Sequence, residues 1–115
     1  MSRRRDGDYL NDIIEAAERI IGYTADLTYA AFLNDNKTQD AVLRNLQIIG
    51  EAVKRLSGSF KRGYPGLPWR EMAGMRDKIT HEYFGINYDI VWTVAHEQIP
   101  RLLAELEAIR EARQE

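Results

Sequence analysis

Apolar side chains recur along this chain at helical intervals almost from end to end. Leu10, Ile13, Ile14, Ala17, Ile20 and Ile21 form one stripe of an amphipathic helix. Asp6 or Asp8 can cap its start, because a carboxylate accepts hydrogen bonds from the free first-turn amides. A short second helix is expected over Thr28 to Leu33, with Thr28 as its cap. After the turn cluster Asn34-Asp35-Asn36, a long helix carries Val42, Leu46, Ile49, Val53 and Leu56 on one face. Gly50 sits inside it at a cost of about 1 kcal/mol relative to alanine, which suggests close approach by a neighbouring helix. Ser57-Gly58-Ser59 is expected to end this helix, and Phe60 to Leu67, with Gly63, Pro65 and Gly66, reads as a loop. Pro68 suits the first position of the next helix, where Met72, Met75, Ile79 and Tyr83 continue the spacing until Gly85. Asn87 can cap a final helix from about Tyr88, with Val91, Ala95, Ile99, Leu102, Leu106 and Ile109 as its stripe. Pro100 falls within that stripe. It is expected to kink the helix by displacing the carbonyl of His96 and removing one hydrogen bond.

No segment shows strand periodicity, and there is neither an internal repeat nor a low-complexity tract. The predicted fold is all-α: an up-and-down bundle of four main helices plus one short one, as a single domain over 1–115. The absence of cysteine rules out disulfides, thiolate metal sites and a cysteine nucleophile. No apolar run approaches the ~18 residues of a membrane span. The basic start Met1-Ser2-Arg3-Arg4-Arg5 leads into an amphipathic pattern rather than a signal-peptide core, so the cytoplasm is the expected location. The net charge is −2, so any affinity for nucleic acid must come from local patches.

Two His-Glu pairs, His81-Glu82 and His96-Glu97, invite a metal reading that fails on spacing. A metalloprotease helix needs a second histidine four residues on, where this chain has Gly85 and Pro100. A di-iron bundle needs Glu three residues before His, where Lys78 and Thr93 stand. There is no phosphate-binding glycine loop. Neither a metal nor a cofactor is expected.

The densest group of reactive side chains is Arg76, Asp77, His81 and Tyr83. It combines a permanent cation, a group that titrates near neutral pH and a phenol. At about 100° per residue, Arg76 and Tyr83 share a helical face, whereas His81 lies about 140° from Arg76. Asp77 and His81 are four apart, so the carboxylate can hold one imidazole nitrogen and make the other more basic. One unbroken helix does not aim Arg76 and His81 at a common point. Either the helix distorts before Gly85 or two copies of the chain build the site around a two-fold axis, and the second account also supplies two histidines. A plainer alternative is that these residues are solvated helix surface and packing.

The segment Arg76-x-x-x-x-His81-x-Tyr83 resembles the Arg-x4-His-x-Tyr motif of the HEPN superfamily, specifically its HepT-like branch. The likeness extends over Arg5-Asp6, Tyr9-Leu10, Asn45-Leu46, Ile49-Gly50-Glu51-Ala52, Pro68-Trp69 and Val91-Trp92. The resemblance implies a small helical bundle that forms a homodimer and acts as a metal-independent ribonuclease, the toxin of a toxin–antitoxin pair. It implies that Arg76 and His81 are catalytic, with Asp77 as an accessory. It further implies a partner, an MntA-like nucleotidyltransferase antitoxin, that transfers AMP to Tyr83.

Substrate RNA needs positive surface. Lys54, Arg55, Lys61, Arg62 and Arg70 occupy a stretch between Glu51 and Glu71 that has no acid, with Phe60, Tyr64 and Trp69 interleaved. Such a segment can grip phosphates and stack bases. It can equally be a solvated loop with its aromatics in the core, and Trp69 favours the core. Arg3, Arg4 and Arg5 read as a solvated terminus, His96 as structural or exposed, and Trp92 and Tyr88 as packing residues. The alternative function is a non-catalytic module that docks a nucleotidyltransferase or binds nucleotide or RNA.

Overall fold

The structure, a computed structural model, describes residues 4–75, 77 and 85–114. Every regular element among them is helical: α1 Asp6–Thr24, α2 Tyr29–Leu33, α3 Asn36–Arg55, α4 Gly58–Gly63, α5 Trp69–Ala73, α6 Tyr88–Thr93 and α7 Ile99–Gln114, with a π-turn, Val94–Gln98, joining the last two. This is the expected all-α fold. α3 and α7 both run antiparallel to α1, because the start of α1 meets the end of α3 (through Asp6 and Ser57) and the end of α7 (through Asn11 and Arg110).

α1 packs along α3 and α7, and their expected stripes close the core. Ile13, Ile14, Ile20, Val42, Leu46, Ile49, Ile99 and Leu106 are essentially without solvent contact. Phe32 plugs one end of the bundle and meets the Trp92 ring at 5.3 Å and the Tyr88 ring edge-on at 6.3 Å.

Thr28 caps α2 by accepting from the Ala31 amide at 3.1 Å, and Asn87 caps α6 by accepting from Ile90 at 3.2 Å, both as expected. Asp35 caps α3, accepting from the Thr38 hydroxyl at 2.6 Å and the Thr38 amide at 3.0 Å. Those two hydrogen bonds, the hydroxyl's first, hold the Asp35 carboxyl below its ordinary value of 3.8. A lowered folded-state value means the cap stabilises the fold above pH 3.8 and loses its effect as pH falls through the lowered value. Asp35→Ala should therefore lower the melting temperature near neutral pH, and the gap to the parent should narrow on acidification. Parallel thermal melts across the acid range measure this.

Several sequence expectations are corrected. The residue capping α1 is Arg5. Asp8 lies at the third helical position and accepts from the Arg5 amide at 2.9 Å. Asp6 instead reaches a residue 51 positions away, accepting from the Ser57 amide at 2.8 Å and its hydroxyl at 2.7 Å. Ser57 does not merely end a helix. It begins α4 within the stretch read as a loop, its hydroxyl accepting from the Phe60 amide at 3.1 Å while Phe60 is buried. Pro68 stands just before α5 rather than inside it, and its carbonyl accepts from Met72 at 2.9 Å. Gly74 interrupts the helical run before Met75. Arg4 is exposed, as expected, and pairs with Asp12 at 2.8 Å while covering the Tyr9 ring at 4.8 Å. Before Pro100 the ladder widens into the π-turn, with the Ile99 amide bonded to the Val94 carbonyl.

Candidate functional site

Gly50 determines how the site region is placed. A Cβ at this position would lie 3.2 Å from the Ala73 carbonyl oxygen and 3.6 Å from that of Met72. The missing side chain therefore lets the end of α5 rest directly on α3, the close approach that the mid-helix glycine foretold. The chain leaves this contact through Gly74 and Met75, whose side chain is buried, and so enters the motif segment from a fixed point.

Arg76, His81 and Tyr83 lie outside the described residues. Asp77, the expected accessory acid, is described and exposed. It lines a cleft of about 140 Å³ with Ala73, Gln47, Gly50, Glu51 and Lys54. Gln47, Glu51 and Lys54 come from successive turns of α3 and share a face, as expected for positions i, i+4 and i+7. The Gln47 amide nitrogen donates to a Glu51 carboxylate oxygen at 3.4 Å. Sequence reasoning placed Lys54 in the basic set but missed Gln47 and Glu51. The signal that could have found them is their spacing around Gly50.

In the basic set, Lys54, Arg55, Arg62 and Arg70 are exposed, but of the five only Lys54 lines the cleft. Lys61 is partly withdrawn and donates to the Val53 carbonyl near the end of α3 at 3.3 Å. The expected base-stacking aromatics turn inward. Phe60 and Trp69 are buried, and the Phe60 ring lies 5.1 Å from that of half-buried Tyr64. The Trp69 indole N–H donates to the carbonyls of Tyr64 at 2.9 Å and Lys61 at 3.1 Å. A buried indole needs an acceptor, and the turn around Gly63 supplies two. The stacking half of the RNA-platform reading is therefore corrected for Phe60, while Trp69 takes the core position expected of it.

His96 is exposed and lies flat on Trp92, with ring centroids 4.9 Å apart. Among the described residues no group of three His, Asp or Glu side chains is placed to hold a metal ion. Among them also, no helix is long and apolar enough to cross a membrane.

Comparison with known proteins bears on the same region. The family described as Ribonuclease HepT-like matches residues 13–109. The probable ribonuclease HepT of Thermococcus cleftensis is 48% identical over 108 residues, covering 94% of this chain and 98% of that protein. A Methanocaldococcus jannaschii protein with a provisional RNase name is 48% identical over 101 residues, covering 88% and 84%. A Caldanaerobacter subterraneus protein, also with a provisional RNase name, is 41% identical over 101 residues, covering 88% and 90%. No solved structure matches.

Proposed function

Because this chain belongs to the HepT-like ribonuclease family, we propose that it is a metal-independent RNA endonuclease and the toxin of a toxin–antitoxin pair. The observation that carries this reading is the family match, which spans the motif from Arg76 to Tyr83 and the α3–α5 contact that leads into it.

The chemistry follows from the residue types. A ribose 2′-oxygen attacks the adjacent phosphorus, the bond from phosphorus to the 5′-oxygen breaks, and a 2′,3′-cyclic phosphate remains. One His81 imidazole takes the 2′-hydroxyl proton, and a protonated His81 delivers a proton to the departing 5′-oxygen. Arg76 offers paired N–H donors to the phosphorane oxygens, whose charge increases in the transition state. Asp77 is the accessory that orients the imidazole. A homodimer supplies both histidines across its two-fold axis.

In this reading the cytoplasmic partner is an MntA-like nucleotidyltransferase that adds AMP to Tyr83. The adduct brings bulk and negative charge to the place where a substrate phosphate must bind, so it silences the toxin. Lys54, Arg55, Lys61, Arg62 and Arg70 supply the attraction for the RNA backbone.

The test is cleavage of total RNA by the purified chain in excess EDTA. Fragments ending in 2′,3′-cyclic phosphate are the expected product. Intact RNA after incubation with a folded protein would favour the non-catalytic docking module. Intact RNA with EDTA but cleavage once magnesium is restored would overturn metal independence alone.

A further inference from the structure

The groove between α1 and α3 holds a buried acceptor without a donor. Asn45 is only 4% exposed, and its amide nitrogen donates to the Ala41 carbonyl at 2.9 Å. Its Oδ1 has no partner, and among the described residues no other buried side-chain polar atom stands so. From this atom and the face around it, we infer that the α1–α3 groove is an interface with a second copy of this chain, in which Arg19 of each copy donates to Asn45 of the other.

A carbonyl oxygen left unpaired inside a protein bears its full desolvation penalty, so it points to a donor that arrives from outside the chain. Asn45 lines an open cavity of about 160 Å³ with Asp12, Glu15, Ala16, Arg19 and Ile48. The charge around it is balanced. Arg4 pairs with Asp12 at 2.8 Å and Arg19 with Glu15 at 2.6 Å, all four side chains being well exposed. A face with equal numbers of both signs meets its own copy without net repulsion, whereas an RNA backbone arriving here meets two carboxylates.

Arg19 has the donors that Asn45 lacks. Within one chain it turns back along α1 and gives one terminal nitrogen to Glu15. Among the described residues its other N–H groups have no partner, and a guanidinium carries five. Arg19 and Asn45 stand at the same height, because α3 runs antiparallel to α1 from the contact between Asp6 and Ser57. A two-fold axis beside Arg19 therefore sets each copy's guanidinium over the other's cavity, and one contact is made twice.

The rest of the face agrees. Asp12, Ala16, Arg19 and Tyr23 share one stripe of α1. Ala16 is buried and puts no bulk in the way of an approaching helix, while Tyr23 is a large side chain left exposed. Tyrosine and arginine are the residues that commonly anchor such contacts. On α3, Ile48 lies about 200° around the helix from Gly50, so this interface is separate from the α3–α5 contact.

Sedimentation velocity and light scattering on the full-length protein, over a range of concentrations, test the inference. Arg19→Glu should raise the dissociation constant about thirtyfold or more, the lower end of what is typically lost with one partner of a buried charged hydrogen bond. At a concentration where the parent is assembled, the mass of the variant should fall by half. Asn45→Leu, which removes the acceptor, should act in the same direction. Arg101→Glu, an exposed change on α7, should leave the mass unchanged. A parent that stays monomeric at every concentration, or an assembly that Arg19→Glu does not weaken, would overturn the inference. RNA cleavage is read alongside. A chain that associates through Arg19 and cuts no RNA would defeat the nuclease reading and leave this interface standing.

Discussion

Replacing His81 or Arg76 with alanine should lower RNA cleavage by about 10²–10⁴ while the protein still melts cooperatively. The lower figure is what one transition-state hydrogen-bond donor typically contributes, and the upper what a general acid–base group can contribute. Single-turnover cleavage of a defined RNA measures the loss, and activity that survives both substitutions would remove these residues from the mechanism. Mixing the parent protein with an excess of the His81→Ala variant tests how the site is assembled. The mixed dimer retains one imidazole. If one site across the two-fold axis uses both imidazoles, activity should fall below the parent's share of the chains. If each chain builds its own site, activity should follow that share.

The second large effect is expected at Gly50. Leucine is a strong helix former, so Gly50→Leu would gain up to about 1 kcal/mol from propensity alone. Its Cβ, however, would sit 3.2 Å from a backbone carbonyl oxygen, and the rest of the side chain has to displace α5. Overpacking of this kind costs typically about 1–3 kcal/mol. We expect a net loss of stability in denaturant melts, with a loss of cleavage of around 10²-fold, the penalty typical of moving reactive groups by about 1 Å. Full cleavage activity in Gly50→Leu would show that the α3–α5 contact does not position the motif.

Much of this fold can be read in the sequence because its core depends on short-range periodicity. The stripes of α1, α3 and α7, the caps at Thr28 and Asn87, and the tight contact at Gly50 are local signals that tertiary packing reinforces. α4 was not legible. Its segment is bracketed by glycines, and its start is tied down by Asp6 from the far end of the chain. Spacing could not decide the fate of Phe60 and Trp69 either, because an aromatic among cations suits both a core and an RNA platform. The two carbonyls that accept the Trp69 indole hydrogen decide it. At the site, the motif residues could be read as chemistry. That Glu51 and Gln47 line a cleft could not, because polar residues on an amphipathic helix look like open surface until the element beside them is placed.

Because it spends an additional residue per coil, the π-turn at Val94–Gln98 acts as a phase shifter of about 100° between α6 and α7. Upstream, the Trp92 ring is aimed at Phe32; downstream, Ile99 and Leu106 are aimed into the core beside α1. A single-residue deletion here would leave both rods helical and the composition nearly untouched, yet swing one rod's apolar side out of alignment with the other. Length at this point is therefore constrained more tightly than residue identity, the reverse of what holds in most surface segments.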